Sequence, residues 1–281
     1  MTHDRWARRL LILAGIVLAP QFAQADVRHY VRYDDGSAVS YGVVEGETIH
    51  ALTGPPWSGG ERSGISVKRQ DVQLLAPAEP GKVFAIGFNY MSHRGDRELP
   101  PHPPVFLKLP STIIGPGAEI VFPPGADDVH YEGELVIVIG RTASRVSVAE
   151  APAYVFGVTA GNDVSARAFQ ADDLQWFRAK ASDTFGPIGP VIASGLDQTD
   201  LLLQTRLNGE VMQQQRTSDH IHDISAIVSH ISQYATLQPG DIIFTGTPGT
   251  TSAMQPGDSV EIELEGVGVL RNVIGTPAET D

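Results

Sequence analysis

Short apolar runs of strand length, punctuated by Gly, Pro and Asp, recur along most of this chain, the pattern of β-strands. Residues 27–52, VRHYVRYDDGSAVSYGVVEGETIHAL, read as short strands punctuated by Asp35-Gly36 and Glu45-Gly46. Asp-Gly between apolar runs is a hairpin signal. TGPPWSGGERSG at 53–64 reads as a Pro/Gly/Ser loop, and VFAIGFNY at 83–90 as a strand. Glu134 opens an unbroken apolar run, Leu135 to Ile139, expected to be a buried strand. IIFTGTP reads as a strand entering a tight turn, and the alternation from Val260 predicts a hairpin.

Helical spacing is confined to two places. Ser147 followed by Glu150 is a capping-box pattern and predicts a short helix to about Tyr154. Ile221, Ile224, Val228 and Ile231 predict a second helix, from about Asp219 to Tyr234. The fold class expected is α+β, mostly β. A small N-terminal β-domain would occupy 26–80, and a larger sheet-dominated roll or barrel, rich in Gly and Pro, 81–281.

Composition changes this picture in three ways. The chain has 281 residues, 20 Lys+Arg against 33 Asp+Glu, a net charge of -13. Such a field argues against nucleic acid and anionic membrane surfaces as partners, and requires a local cation wherever an anion binds. The absence of cysteine excludes disulfides, zinc-thiolate sites and Cys nucleophiles. Residues 1–25 carry Arg5, Arg8 and Arg9, an apolar run at 10–19 too short to span a bilayer, and Ala23-x-Ala25 before Asp26. That three-part pattern predicts a secretory signal peptide and a periplasmic or secreted product; without it the expectation is cytoplasmic.

The candidate chemistry begins at Glu132 and Glu134. Two residues apart at the mouth of a strand, they point to one face. Two carboxylates beside an apolar run must share a proton, pair with basic residues, bind a cation, or sit exposed in water. Asn162-Asp163 ends another apolar strand-like run and could add a third carboxylate. An oxygen-only set of this kind suits a hard cation such as magnesium that keeps positions open.

YEGELVIVIG, GNDVSAR, KASDTFGPIGP and DIIFTGTP, in that order and with AIGFNYMSH before them, resemble the fumarylacetoacetate hydrolase family. The resemblance is closest to its short-chain acylpyruvase and fumarylpyruvate hydrolase branch and runs from about residue 27 to 275. It implies a mixed β-sandwich roll, usually dimeric. It implies that Glu132, Glu134 and Asp163 hold Mg2+, or Mn2+. The implied substrate is a 2-oxo acid with a second carbonyl, and the implied reaction is C–C hydrolysis of 2,4-dioxo acids. Decarboxylation, isomerisation or hydration on the same site is the alternative, and a non-catalytic oxo-acid binder a third reading.

The resemblance also suggests site roles. His93 would activate water, with Asp96 three residues on as its orienting carboxylate where relatives carry Glu, and Glu98 as a possible substitute. Lys180 would meet the substrate oxygens. Tyr90, Arg167, Gln170 and Thr247 would line the substrate site, Thr247 by donating its hydroxyl to the substrate carboxylate. Thr250 and Ser252 stand where relatives often have glycine, which predicts a pocket of altered shape. His130 is expected as an exposed strand-end residue. His220 and His222, at a predicted helix start, are not expected to form a metal pair.

Overall fold

The computed structural model describes residues 26–99 and 101–276; the leader pattern at 1–25 lies outside them. Two sheets enclose the main core. The larger has twelve strands. Its centre is Gly133–Ile139, paired antiparallel with Val155–Asn162 on one side and Ile242–Phe244 on the other. Leu135 to Ile139 are all fully buried. By strand alternation Leu135, Ile137 and Ile139 enter one apolar cluster, and Val136 and Val138 another. Both faces being covered explains the unbroken apolar run, each side chain contributing about 1.5–3 kcal/mol of burial.

The second sheet has five strands, with the predicted hairpin Ser259–Leu264 and Gly268–Ile274 near its middle. Val260, Ile262, Leu264 and Leu270 pack in the same cluster as Leu135 and Ile137. The N-terminal strands Arg28–Asp34, Val39–Glu45 and Thr48–Leu52 form the expected meander. They do not form a separate sheet: Arg28–Asp34 pairs with Gly186–Ser194, which joins them to the large sheet. The chain is mostly β, as its strand-like runs and turn residues predict.

Local departures have identifiable causes. The predicted loop at 53–64 ends early, because the strand Arg62–Lys68 begins inside it and pairs with Thr48–Leu52. The strand expected over 83–90 is Val83–Ile86 only, since Phe88 turns the chain with φ 54. The Ser147–Glu150 contact forms, with the Ser147 hydroxyl donating to Glu150 at 2.6 Å, but the following turn is a 3-10 helix, Ala151–Tyr154. The second helix is Ile224–Tyr234, capped by Asp223, whose carboxylate accepts from the Ala226 amide at 2.7 Å. It starts later than the periodicity suggests because 220–222 is bound elsewhere. Ile221 N donates to Asn89 O, and His222 N to Asn89 Oδ1, both at 2.8 Å.

Candidate active site

Strand register assembles the carboxylates. Gly133 pairs with Asn162, so Asp163 falls beside Glu132, and its amide donates to the Glu132 carbonyl at 2.9 Å. Asn162 fixes the corner by accepting the Glu132 amide at 2.8 Å. Glu134 accepts the Gly246 amide at 2.7 Å, from the turn that follows Ile242–Phe244. Glycine at 246 is required there: φ is +102, and a Cβ would lie 2.7 Å from that of Asn89. Glu132, Glu134 and Asp163 are buried, and their ligand oxygens lie within 4.8 Å of one another.

Three cations face this cluster. Lys180, on the short helix Phe177–Lys180, reaches Glu132 at 2.8 Å and Asp163 at 2.5 Å. Arg167 reaches Glu132 at 2.6 Å. Lys108, at the end of Val105–Lys108, reaches Asp163 at 2.6 Å and donates to the Lys180 carbonyl. Burial opposes ionisation of Glu132, yet Lys180 and Arg167 together hold it well below the usual range. Burial also opposes the Lys180 charge, but Asp163 and Glu132 outweigh it and push the ammonium up. Lys108 goes the other way: burial lowers it despite Asp163. Among the described residues, Glu134 has no such cation at hydrogen-bond distance. Burial, then Asp163 and Glu132, push its carboxyl well above the carboxylate range.

This arrangement fits a divalent cation. The donors are all carboxylate oxygens, the set that hard cations prefer. A cation there relieves the burial and repulsion that disfavour the Glu134 charge.

A cavity of about 510 Å³ opens above the cluster. Glu132, Lys180, His93, Arg167, Gln170 and Thr247 line it. Arg167 and Gln170 sit three apart on the helix Arg167–Asp172, and Arg167 Nη1 donates to Gln170 Oε1 at 2.8 Å. His93 lies on the short helix Met91–Arg94. Its Nδ1 is 2.7 Å from the Gly249 carbonyl. A carbonyl only accepts, so Nδ1 carries the proton there, and Nε2 of the neutral ring keeps a lone pair. Ser92 supports this geometry, accepting the Gly249 amide at 2.9 Å and donating to Gln215 at 2.6 Å.

Five expectations need correction. Asp96 does not orient His93: the helix ends at Arg94, Gly95 turns the chain at φ 61, and Asp96 is exposed. The Gly249 carbonyl takes that place. Glu98 is exposed as well. Tyr90 is fully buried and does not line the cavity. Its ring packs 4.6 Å from that of His220, and its carbonyl accepts the His93 and Arg94 amides. Tyr90 thus starts the helix that carries His93. Thr247 borders the cavity, but its hydroxyl donates to the Gly133 carbonyl at 2.9 Å and accepts from Gln213 at 2.9 Å, so the donor serves the fold. His130 is only 15% exposed in its side chain, bonded at 2.8 Å to both Thr251 and Asp128. Thr251 also accepts from Arg167 at 2.8 Å, which links His130 to the site.

Sequence reasoning passed over Lys108 and the aromatic wall of Phe88, Phe106 and Trp176. For Lys108 there was a signal, a lone lysine ending the strand-like VFLK. Of the two positions where relatives often have glycine, Thr250 lines the cavity, whereas Ser252 bonds the Tyr131 hydroxyl at 3.0 Å away from its lining.

Comparison with known proteins agrees with this architecture. The family described as fumarylacetoacetate (FAA) hydrolase C-terminal matches residues 82–275, and that described as Rv2993c-like, N-terminal, matches 28–77. The chain belongs to the fumarylacetoacetate hydrolase family. Protein Rv2993c of Mycobacterium tuberculosis is 45% identical over 248 residues, 84% of this chain and 94% of its own. Human mitochondrial oxaloacetate tautomerase FAHD2A is 36% identical, over 73% of this chain and 70% of its own. The crystal structure of 5-carboxymethyl-2-hydroxymuconate delta-isomerase from Mycobacterium smegmatis superposes with a TM-score of 0.84 at 42% identity, covering 88% of this chain and 99% of that one. Maleylpyruvate hydrolase from Sphingobium sp. SYK-6, in complex with manganese(II) and pyruvate, gives 0.74 at 28% identity, covering 89% and 100%. Hydrolase, isomerase and tautomerase chemistries thus occur among the relatives, and a divalent metal in at least one.

Proposed function

We propose that this chain is a divalent-metal-dependent hydrolase cleaving C–C bonds of 2,4-dioxo acids of the acylpyruvate type. The observation that carries this reading is the contact of His93 Nδ1 with the Gly249 carbonyl, at 2.7 Å. A ring whose Nδ1 proton is held by Gly249, in the same cavity as Glu132 and Lys180, offers Nε2 as a base. Glu132, Glu134 and Asp163 would hold Mg2+, with Mn2+ equally suited to oxygen ligands. The ion, when bound, supplies Lewis-acid polarisation of the 2-oxo acid end.

The chain's own groups do the rest. Arg167 and Gln170 hold the substrate oxygens, and Lys180 adds positive charge where negative charge develops. His93 Nε2 takes a proton from water as the oxygen adds to C4. The C3–C4 bond then breaks, its electron pair stays on C3, and C3 is protonated. The products are pyruvate and a carboxylic acid.

Steady-state assay on a panel of acylpyruvates, with and without Mg2+, tests this. Expected is metal-dependent loss of the diketone absorbance, with His93→Gln lowering kcat by about 10²- to 10⁴-fold. No turnover of any acylpyruvate would sink the reading. The second reading, isomerisation, tautomerisation or decarboxylation on the same site, is favoured by the isomerase neighbour at 42% identity. Product identification separates them: pyruvate plus acid for hydrolysis, an isomer of unchanged mass or carbon dioxide otherwise. A silent oxo-acid binder would bind pyruvate but turn nothing over.

We also propose a homodimer, supported by the edge strand Val105–Lys108, which leaves Leu107 63% exposed. A monomer by sedimentation would refute it. Export is proposed on the leader pattern alone, and absence of the chain from periplasmic and secreted fractions would count against it.

A further inference from the structure

One cation of the cavity has no part in the proposed reaction. Arg97 lines the cavity from the exposed rim, whereas Glu132 and Lys180 lie buried at its floor. Its guanidinium carbon sits 4.8 Å from the centre of the Phe88 ring. One nitrogen, Nη1, donates to the Arg94 carbonyl at 3.2 Å. Among the described residues it forms no ion pair, although the chain holds 33 acidic residues against 20 basic. Of the five donors of a guanidinium, one is spent on that carbonyl and none is claimed by a carboxylate among the described residues.

The wall between rim and floor is aromatic. Phe106 meets Trp176 at 5.2 Å and 71°, and Phe88 meets Trp176 at 6.3 Å and 82°. Phe88 and Trp176 both hold left-handed backbones, φ 54 each. For bulky side chains that conformation costs about 1–3 kcal/mol and persists where the surroundings impose it, often at binding sites. Here both strained residues bring their rings to one cavity, and one ring carries the arginine.

We propose that Arg97, seated on Phe88, is the specificity-determining residue for the distal end of the substrate, selecting chains that end in a second carboxylate. This rests on the reading that the 2-oxo acid end binds at the carboxylate cluster. The cavity is several times larger than a three-carbon oxo acid, so the floor alone leaves it mostly unfilled. A planar guanidinium matches a carboxylate in bidentate fashion, which an ammonium does not. The net charge of -13 repels a dianion in general, which makes a cation at the rim the group that admits one.

Calorimetric titration of the full chain in Mn2+ buffer tests this with matched probes: 2-oxopentanoate against 2-oxoglutarate, and 2-oxohexanoate against 2-oxoadipate. Expected is tighter binding of the diacid by about ten-fold or more in at least one pair. Arg97→Met should reduce that ratio to about two-fold or less, and Arg97→Lys should restore part of it. No diacid preference in the wild-type chain, or a preference that survives Arg97→Met, overturns the assignment. Binding is read without turnover, so the two readings can fail separately. Selective diacid binding with no cleavage of any dioxo acid refutes hydrolysis and keeps Arg97. Equal kcat/KM for neutral-ended and carboxylate-ended dioxo acids refutes Arg97 and keeps hydrolysis.

Discussion

His220 shows how one residue can serve the fold while looking like chemistry. As part of His-x-His it resembles a ligand pair, but its ring lies against Tyr90, with Nε2 3.3 Å from Thr245. Burial lowers its pKa from 6.5 to about 4, against the pull of Asp223 and Asp219. The unfolded chain therefore takes up a proton before the folded one does. Stability is complete above about pH 6.5 and is lost as pH falls towards 4, by about 3 kcal/mol in all. Urea unfolding at pH 7.5 and pH 5 should show this loss in the wild-type chain and a smaller loss in His220→Gln. An equal pH dependence in both would refute the assignment. At the same scale, His93 and its position were legible from the motif, whereas its partner was not. His-x-x-Asp implies a shared helix face, and one glycine, Gly95, ends the helix before that face is completed.

Among the elements, the strand Gly133–Ile139 decides the site. Its period of two aims Glu132 and Glu134 to one side, and that could be read from the residues alone. Which strand lies beside it could not. Antiparallel pairing with Val155–Asn162, in the register Gly133 to Asn162, delivers Asp163, thirty-one residues on in sequence, to the same point. Gly133 allows this packing: a Cβ there would come 2.0 Å from Thr205 Oγ1 and 3.1 Å from Ile262. Gly133→Ala should cost about 1–3 kcal/mol by overpacking and weaken metal binding by displacing the flanking glutamates. Urea midpoints and Mn2+ titration check this; a variant with unchanged midpoint and unchanged metal affinity would contradict it. The helix begins at Ile224, later than the spacing from about 219 predicts, for a related reason. Apolar spacing continued to Ile221, but Asn89, distant in sequence, holds the 220–222 backbone.

At the scale of the whole molecule, the fold buries three carboxylates together, and among the described residues no cation pairs with Glu134. Lys108, Lys180 and Arg167 contact Glu132 and Asp163, and burial with both neighbouring acids leaves the Glu134 charge disfavoured. Divalent metal should raise Tm by several degrees, since a ligand at about 100-fold over its Kd adds roughly 2.7 kcal/mol. Glu134→Gln should raise the metal-free Tm and abolish most of the metal-induced gain. Scanning calorimetry with and without Mg2+ reads both effects. A variant less stable without metal, yet still stabilised by it, would show that Glu134 is no ligand. The residue types and local spacings by themselves determined the mostly-β architecture and the same-face carboxylates, and the resemblance of five ordered segments identified the family. Only the tertiary structure decided that Lys108 joins the cluster, that Gly249 sets the His93 tautomer, and that Phe88, Phe106, Trp176 and Arg97 share one cavity. The reason is physical: periodicity fixes which way a side chain faces along its own strand, but its neighbours come from non-local pairing and packing, which no local pattern encodes.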